Sequence, residues 1–256
     1  KPYRLKWIED ALLSESITQY EILRNRIPHQ TIATGEHWYT VHPFFHAASK
    51  GLVDILQPDI TWVGGLTAVI RIVHIAEAAG IDFIVALRGD PPEDQQQFQV
   101  TEGGLEHANE LVSLIRREFP GFGVAVAGYP EVHQEAPSAE VDLENLKRKV
   151  DAGADVVITQ LFYNNDDFFR FRDDCDAVGI GVPLVPGIMP VTSLAQIQRI
   201  TSLCKATLPG DLVSRLGEKE DPDWQFEVGV AQSASFHSPG RIRAGATREK
   251  PNGAGQ

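Results

Sequence analysis

Residues 83–92 read FIVALRGDPP, an apolar run that opens directly onto a cation, a glycine and a carboxylate. Five apolar residues suit a buried parallel strand, and ligands of parallel α/β sheets sit outside the carboxyl ends of the strands. Arg88, Gly89 and Asp90 therefore occupy a position where binding and proton chemistry are done, with Pro91 and Pro92 fixing the exit of the chain. Two further strand-like runs end in polar groups. Residues 123–133, GVAVAGYPEVH, close on Tyr129, Glu131 and His133. Residues 156–163, VVITQLFY, carry Gln160, whose amide is costly inside a sheet unless it has a partner. Between them lies DLENLKRKVDAG (142–153), with Leu143, Leu146 and Val150 on one helical face and Gly153 placed to end the helix. Read alone, Lys147, Arg148 and Lys149 are the solvated face of that helix.

The elements that must hold these groups follow a βα rhythm. Apolar strands are expected near 5–9, 31–35, 54–58, 83–87, 124–128, 156–161 and 183–188. Amphipathic helices are expected over 66–79, where Leu66, Val69, Ile70, Val73 and Ala76 share a face, and over 104–119. Alternating strands and helices predict a parallel sheet with right-handed crossovers. The length of 256 residues is that of one (β/α)8 barrel. The expected fold class is thus an α/β, TIM-type barrel, incomplete, with about seven strands and the last one missing.

Composition bounds the function. Apolar content of 43% and charged content of 23% are those of an ordinary globular domain. A net charge of −12 argues against a nucleic-acid surface, which needs a basic stripe. Cys175 and Cys204 have neither disulfide-framework nor metal-ligand spacing. No apolar run is long enough to span a membrane, and the start carries no secretory pattern, so the expected location is the cytoplasm, with no membrane partner. The sequence leaves room for a homo-oligomer.

Taken in order, RGDPP, GYPEVH, DLENLKRKVDAG, ITQLFY and PLVPGIMP resemble the methylenetetrahydrofolate reductases, flavin enzymes of one-carbon metabolism, over roughly residues 80–231. The resemblance implies an oxidoreductase of methionine biosynthesis that uses FAD and takes NADH or NADPH as hydride donor. Its small-molecule folate substrate, 5,10-methylenetetrahydrofolate, is reduced to 5-methyltetrahydrofolate. It implies that Asp90 lies beside both flavin and folate. Arg88, Gly89, Ala108, Tyr129, His133, Ala136, Asp142, Asn145, Arg148 and Lys149 are the matching cofactor contacts, the last two suiting a diphosphate. Gln160 matches an amide shared by folate and nicotinamide. No metal is implied. The family's first-strand glutamate motif is missing, and Glu9, which also ends a first strand, is its only positional stand-in.

The front end follows a different pattern. KWIEDAL (6–12), TGEH (34–37), DILQPD (54–59) and WVGG (62–65) resemble the enolase-superfamily dehydratases of sugar acids, the rhamnonate type in particular. That resemblance implies Glu9 and Glu36 as two magnesium ligands and Asp59 as the carboxylate that orients a histidine base. A third ligand and the base have no match in this chain. The alternative functions are therefore a magnesium-dependent sugar-acid dehydratase, or an inactive chimeric flavin-binding barrel. The expected organisation is dehydratase-like βα units over 1–81, a flavin-binding portion over 82–232 and a disordered tail over 233–256. In that tail Arg241, Arg243, Arg248 and Lys250 stand against Glu249. A misjudged gene boundary would explain both ends. A continuous transcript across the codons for Ala79 to Phe83 would defeat that explanation.

Overall fold

The computed structural model describes residues 5–60, 62–87 and 104–235. Arg88, Gly89 and Asp90 lie outside the described residues, as do 236–256 of the expected tail. Compactness divides the chain into one unit of Lys1–Val126 with Arg148–Ala154 and a second of Ala127–Lys147 with Asp155–Gln256.

Unit 1 alternates β1 (Ile8–Glu9), α1 (Ile17–Arg26), β2 (Ile32–Thr34), α2 (His42–Ser49), β3 (Ile55–Leu56), α3 (Leu66–Ala78), β4 (Phe83–Val85) and α4 (Ala108–Glu118), and takes in most of β5 (Gly123–Gly128). All neighbours pair in parallel, with Ile8 opposite Ile32, Ala33 opposite Ile55, Leu56 opposite Ile84 and Ile84 opposite Val124. Parallel strands covered by helices should be apolar on both faces. Accordingly Ile32, Ala33, Leu56 and Val124 are all buried, packed among residues such as Phe44, Ile72 and Val112.

Unit 2 is entered through the end of β5. It holds most of α5 (Ala139–Asp151), then β6 (Val156–Thr159), α6 (Asn165–Ala177), β7 (Leu184–Val185), α7 (Leu194–Cys204), α8 (Gly210–Gly217) and α9 (Pro222–Ser235). β6 and β7 pair in parallel, with Val157 opposite Leu184. Tyr163, Val191, Ile197, Leu212, Leu216 and Val228 form its main apolar cluster. Two caps fix helix starts: the Asn164 side chain accepts from the Asp166 N–H, and Ser193 from Gln196.

Among the described residues seven parallel strands in chain order alternate with helices, the fold class of an incomplete α/β barrel of the TIM type. Each expected strand forms, though most are shorter at their ends. Gly153 does terminate α5, at φ +118°, and a Cβ there would meet the Arg116 side chain. Arg116 uses that space, donating from Nε to the Gly153 carbonyl at 2.8 Å and also to the Phe122 carbonyl. The last helix runs on to Ser235, past the expected start of the tail at 233, because no proline or glycine interrupts Gln232–Ser235. Among the described residues no helix is long and apolar enough to cross a membrane.

Candidate functional site

Among the described residues some of the sequence-predicted groups come together, one set in each unit. In unit 2 the end of β5 delivers Tyr129, whose ring meets that of His133 edge-on, with centroids 4.5 Å apart. The His133 amide donates to Asp142 Oδ2 at 2.9 Å. Asp142 stands in the first turn of α5, where unpaired helix amides favour a carboxylate. The Glu135 amide donates to His133 Nδ1 at 3.2 Å, and the Ala136 amide to the His133 carbonyl at 3.0 Å. An Nδ1 that accepts leaves the proton on Nε2, so the imidazole offers an N–H outward from this knot.

Gln160 joins the same unit by two bonds. Its backbone N–H donates to the Gly128 carbonyl at 2.8 Å, continuing the ladder past β6. Its side-chain Oε1 accepts from the Leu161 amide at 2.8 Å, so the amide nitrogen is the end left for a partner. The cost of placing a glutamine at a strand mouth is thus largely met locally. The following β7 exit must come close: a Cβ on Gly187 would stand 2.4 Å from the Thr159 carbonyl oxygen, and the Gly187 amide donates to Thr159 Oγ1 at 3.0 Å.

Asn145 lies on α5, three residues after Asp142, and is exposed. Arg148 and Lys149 occupy the last turn of α5 and belong to unit 1, as does Ala108 at the start of α4. A small, open pocket in unit 2, lined by Phe162, Tyr163, Met189 and Gln232 among others, contains none of the predicted residues.

In unit 1, β1 and β2 bring carboxylates together. Asp10, Glu36 and His37 present ligand-type atoms within 4.8 Å of one another. His37 Nδ1 is 3.3 Å from Glu36 Oε1 and 3.8 Å from Asp10 Oδ2. Asp10 Oδ1 accepts from Thr34 Oγ1 at 2.6 Å, and the buried Tyr20 hydroxyl lies 3.2 Å from the same Thr34 oxygen. Burial, reinforced by the neighbouring Asp10 carboxylate, pushes Glu36 up to about 7. Glu9 sits at the rim, accepting from Trp7 Nε1 at 3.0 Å. Asp59 accepts from the Trp62 amide at 3.2 Å, and the Trp62 ring lies edge-on to His37 and stacked on Tyr39.

Sequence reasoning picked out Glu9 and Glu36 here and missed Asp10. The adjacent carboxylates of IEDAL were the available signal: Asp10 follows β1 at a turn (φ +41°) and reaches Thr34, Glu36 and His37. A magnesium ion asks for an octahedron of oxygens. Two carboxylates and an imidazole do not fit that demand.

Comparison with known proteins gives two matches that overlap over residues 65–92. A family model described as Methylenetetrahydrofolate reductase matches residues 65–237, and one described as Enolase C-terminal domain-like matches residues 1–92. "Methylenetetrahydrofolate reductase (NADH) 1" of Zea mays is 45% identical over 152 residues, covering 56% of this chain and 26% of that protein. The Escherichia coli (strain K12) 5,10-methylenetetrahydrofolate reductase is also 45% identical over 152 residues, covering 59% and 49%. The crystal structure of L-rhamnonate dehydratase from Gibberella zeae aligns at 28% identity over 32% of this chain and 21% of that one, with a TM-score of 0.31. The chain spans between a quarter and a half of the length of these reductases.

Proposed function

The chain belongs to the methylenetetrahydrofolate reductase family, and from that premise we propose that it carries the flavin-binding part of an enzyme that reduces 5,10-methylenetetrahydrofolate to 5-methyltetrahydrofolate with NADH or NADPH. The observation that carries this reading is the knot at the end of β5, where His133, Asp142 and Tyr129 are locked together beside the Gln160 backbone. These groups suit a flavin: an imidazole N–H, an amide NH2 and a phenol are donors for its polar atoms, and the Tyr129 ring is an apolar wall for its flat surface. FAD, when bound, supplies hydride transfer between the nicotinamide and the folate methylene carbon.

The chain's own residues do the rest. Tyr129 and His133 hold the isoalloxazine and ribityl side. Asn145, Arg148 and Lys149, spaced along α5, receive the diphosphate, Arg148 as a fork and Lys149 as a point charge. Ala108 packs on the adenosine side. The Gln160 amide orients folate and nicotinamide in turn. Arg88 and Gly89 line the ring, and Asp90 restrains charge on it and hydrogen-bonds the pterin; these three are assigned from sequence. Glu9 stands in for the proton donor of the first strand by position alone.

Titrating the purified full chain with FAD while following flavin fluorescence tests the reading. Saturable quenching is the expected result; a well-folded chain that never saturates overturns it.

A second reading, a sugar-acid dehydratase, comes from the match of the enolase-like family model to residues 1–92, and the Asp10, Glu36 and His37 cluster does not offer the oxygen cage magnesium asks for. Magnesium-dependent loss of a sugar acid would establish it.

A further inference from the structure

We propose that Glu131 is a positioning residue: its carboxylate clamps the β5–α5 loop so that Val132 is held in a left-handed backbone conformation, and that conformation sets Tyr129 and His133. Val132 has φ +95°, a region that a β-branched residue enters only under constraint. Its side chain is exposed, so packing around the isopropyl group does not impose the conformation. The constraint is visible on either side instead. Before it, both Glu131 oxygens accept from the Thr207 amide, at 3.1 and 2.9 Å, across 76 positions of sequence. After it, the His133 amide is held by Asp142 Oδ2 at 2.9 Å. The turn itself is closed by the Val132 amide on the Tyr129 carbonyl at 3.3 Å.

The chain between the two carboxylate anchors is a single residue, and that residue carries the strain. Strain of this kind persists only where the surroundings over-determine it. Loss of the Glu131 anchor lets Val132 return to negative φ, which rotates His133 away from Asp142 and from the Tyr129 ring. Glycine at 132 adopts φ +95° without penalty and makes the anchor dispensable. A purely structural glutamate, one that only ties down the α7–α8 connection at Thr207, would show no such dependence on residue 132.

The consequence for cofactor rests on the flavin reading; the clamp does not, and two readouts keep them apart. Hydrogen exchange at the His133 amide is measured on the full chain without added FAD, and FAD affinity is measured by fluorescence. Glu131→Ala speeds exchange at His133 and weakens FAD binding, each by about tenfold. Glu131→Gln, which keeps one carbonyl acceptor, falls between it and the parent. Adding Val132→Gly to Glu131→Ala restores both readouts. Parent-like exchange in Glu131→Ala, or no recovery in the double variant, overturns the proposal. A parent that does not bind FAD sinks the flavin reading, while the exchange series still decides the clamp.

Discussion

Glu36 and Asp10, from the ends of neighbouring parallel strands, bring two carboxyl groups together with His37 beside them, and burial, reinforced by the Asp10 charge, raises Glu36 to about 7. In the unfolded chain the same group titrates at the ordinary glutamate value of 4.5. Between those values the folded state holds a proton that the unfolded state has released, so stability falls as pH rises. The contribution is fully present below the unfolded value and is lost as pH passes 7. Because 43% of the Glu36 side chain is exposed, solvent screening keeps the effect to about 1 kcal/mol. Urea midpoints at pH 5 and pH 8 should show this fall, and Glu36→Gln should flatten it.

Asp142 does its work as an acceptor, which an asparagine oxygen can still supply. Asp142→Ala leaves the His133 amide unpaired and should cost about 1–2 kcal/mol in urea unfolding. Asp142→Asn should recover most of that stability. Equal losses in the two variants would show that charge at the start of α5, and not the bond to His133, is what matters.

The cationic end of α5 is expected to meet phosphate. Arg148→Ala and Lys149→Ala should each weaken FAD affinity by about tenfold, with the loss shrinking as salt is raised. Titrations at low and high ionic strength would measure both effects. Losses that do not respond to salt would point to packing of the alkyl stems instead.

Asp90, outside the described residues, is the group whose charge the proposed chemistry uses. Asp90→Asn should leave FAD affinity near that of the parent and slow folate reduction by about a hundredfold in single-turnover measurements. A variant as fast as the parent would remove that carboxylate from the mechanism.

Gly187 has no room for a side chain. Gly187→Ala puts a methyl group 2.4 Å from the Thr159 carbonyl oxygen, which belongs to backbone and cannot swing aside. Thermal unfolding should show a loss of about 2 kcal/mol or more.

The βα rhythm was legible because its signal is local. Apolar runs such as FIVAL and VAVAG suit buried strands, and both form them. The helix over 66–79 forms too, but its buried face is Ile72, Val73 and Ala76, while Leu66 and Ile70 of the expected face are exposed. Boundaries were less legible: β3 and β7 keep only two residues of their expected runs, since strand ends are decided by which neighbour offers a hydrogen bond. Gly153 as a helix terminator followed from a rule that acts over four or five residues.

What composition and order determined by themselves was the class of fold, the succession of its elements and the family of its larger part. Burial patterning and motif order are properties of the chain, and they need no knowledge of what packs on what. Tertiary structure alone decided that Asp10 joins Glu36 and His37, an approach at the ends of β1 and β2 that depends on the turn at Asp10. It also decided that Glu131 reaches Thr207, a bond between residues that no periodicity connects. Such pairings arise only once the elements have docked, since their energy depends on distances in space that the spacing along the chain does not encode.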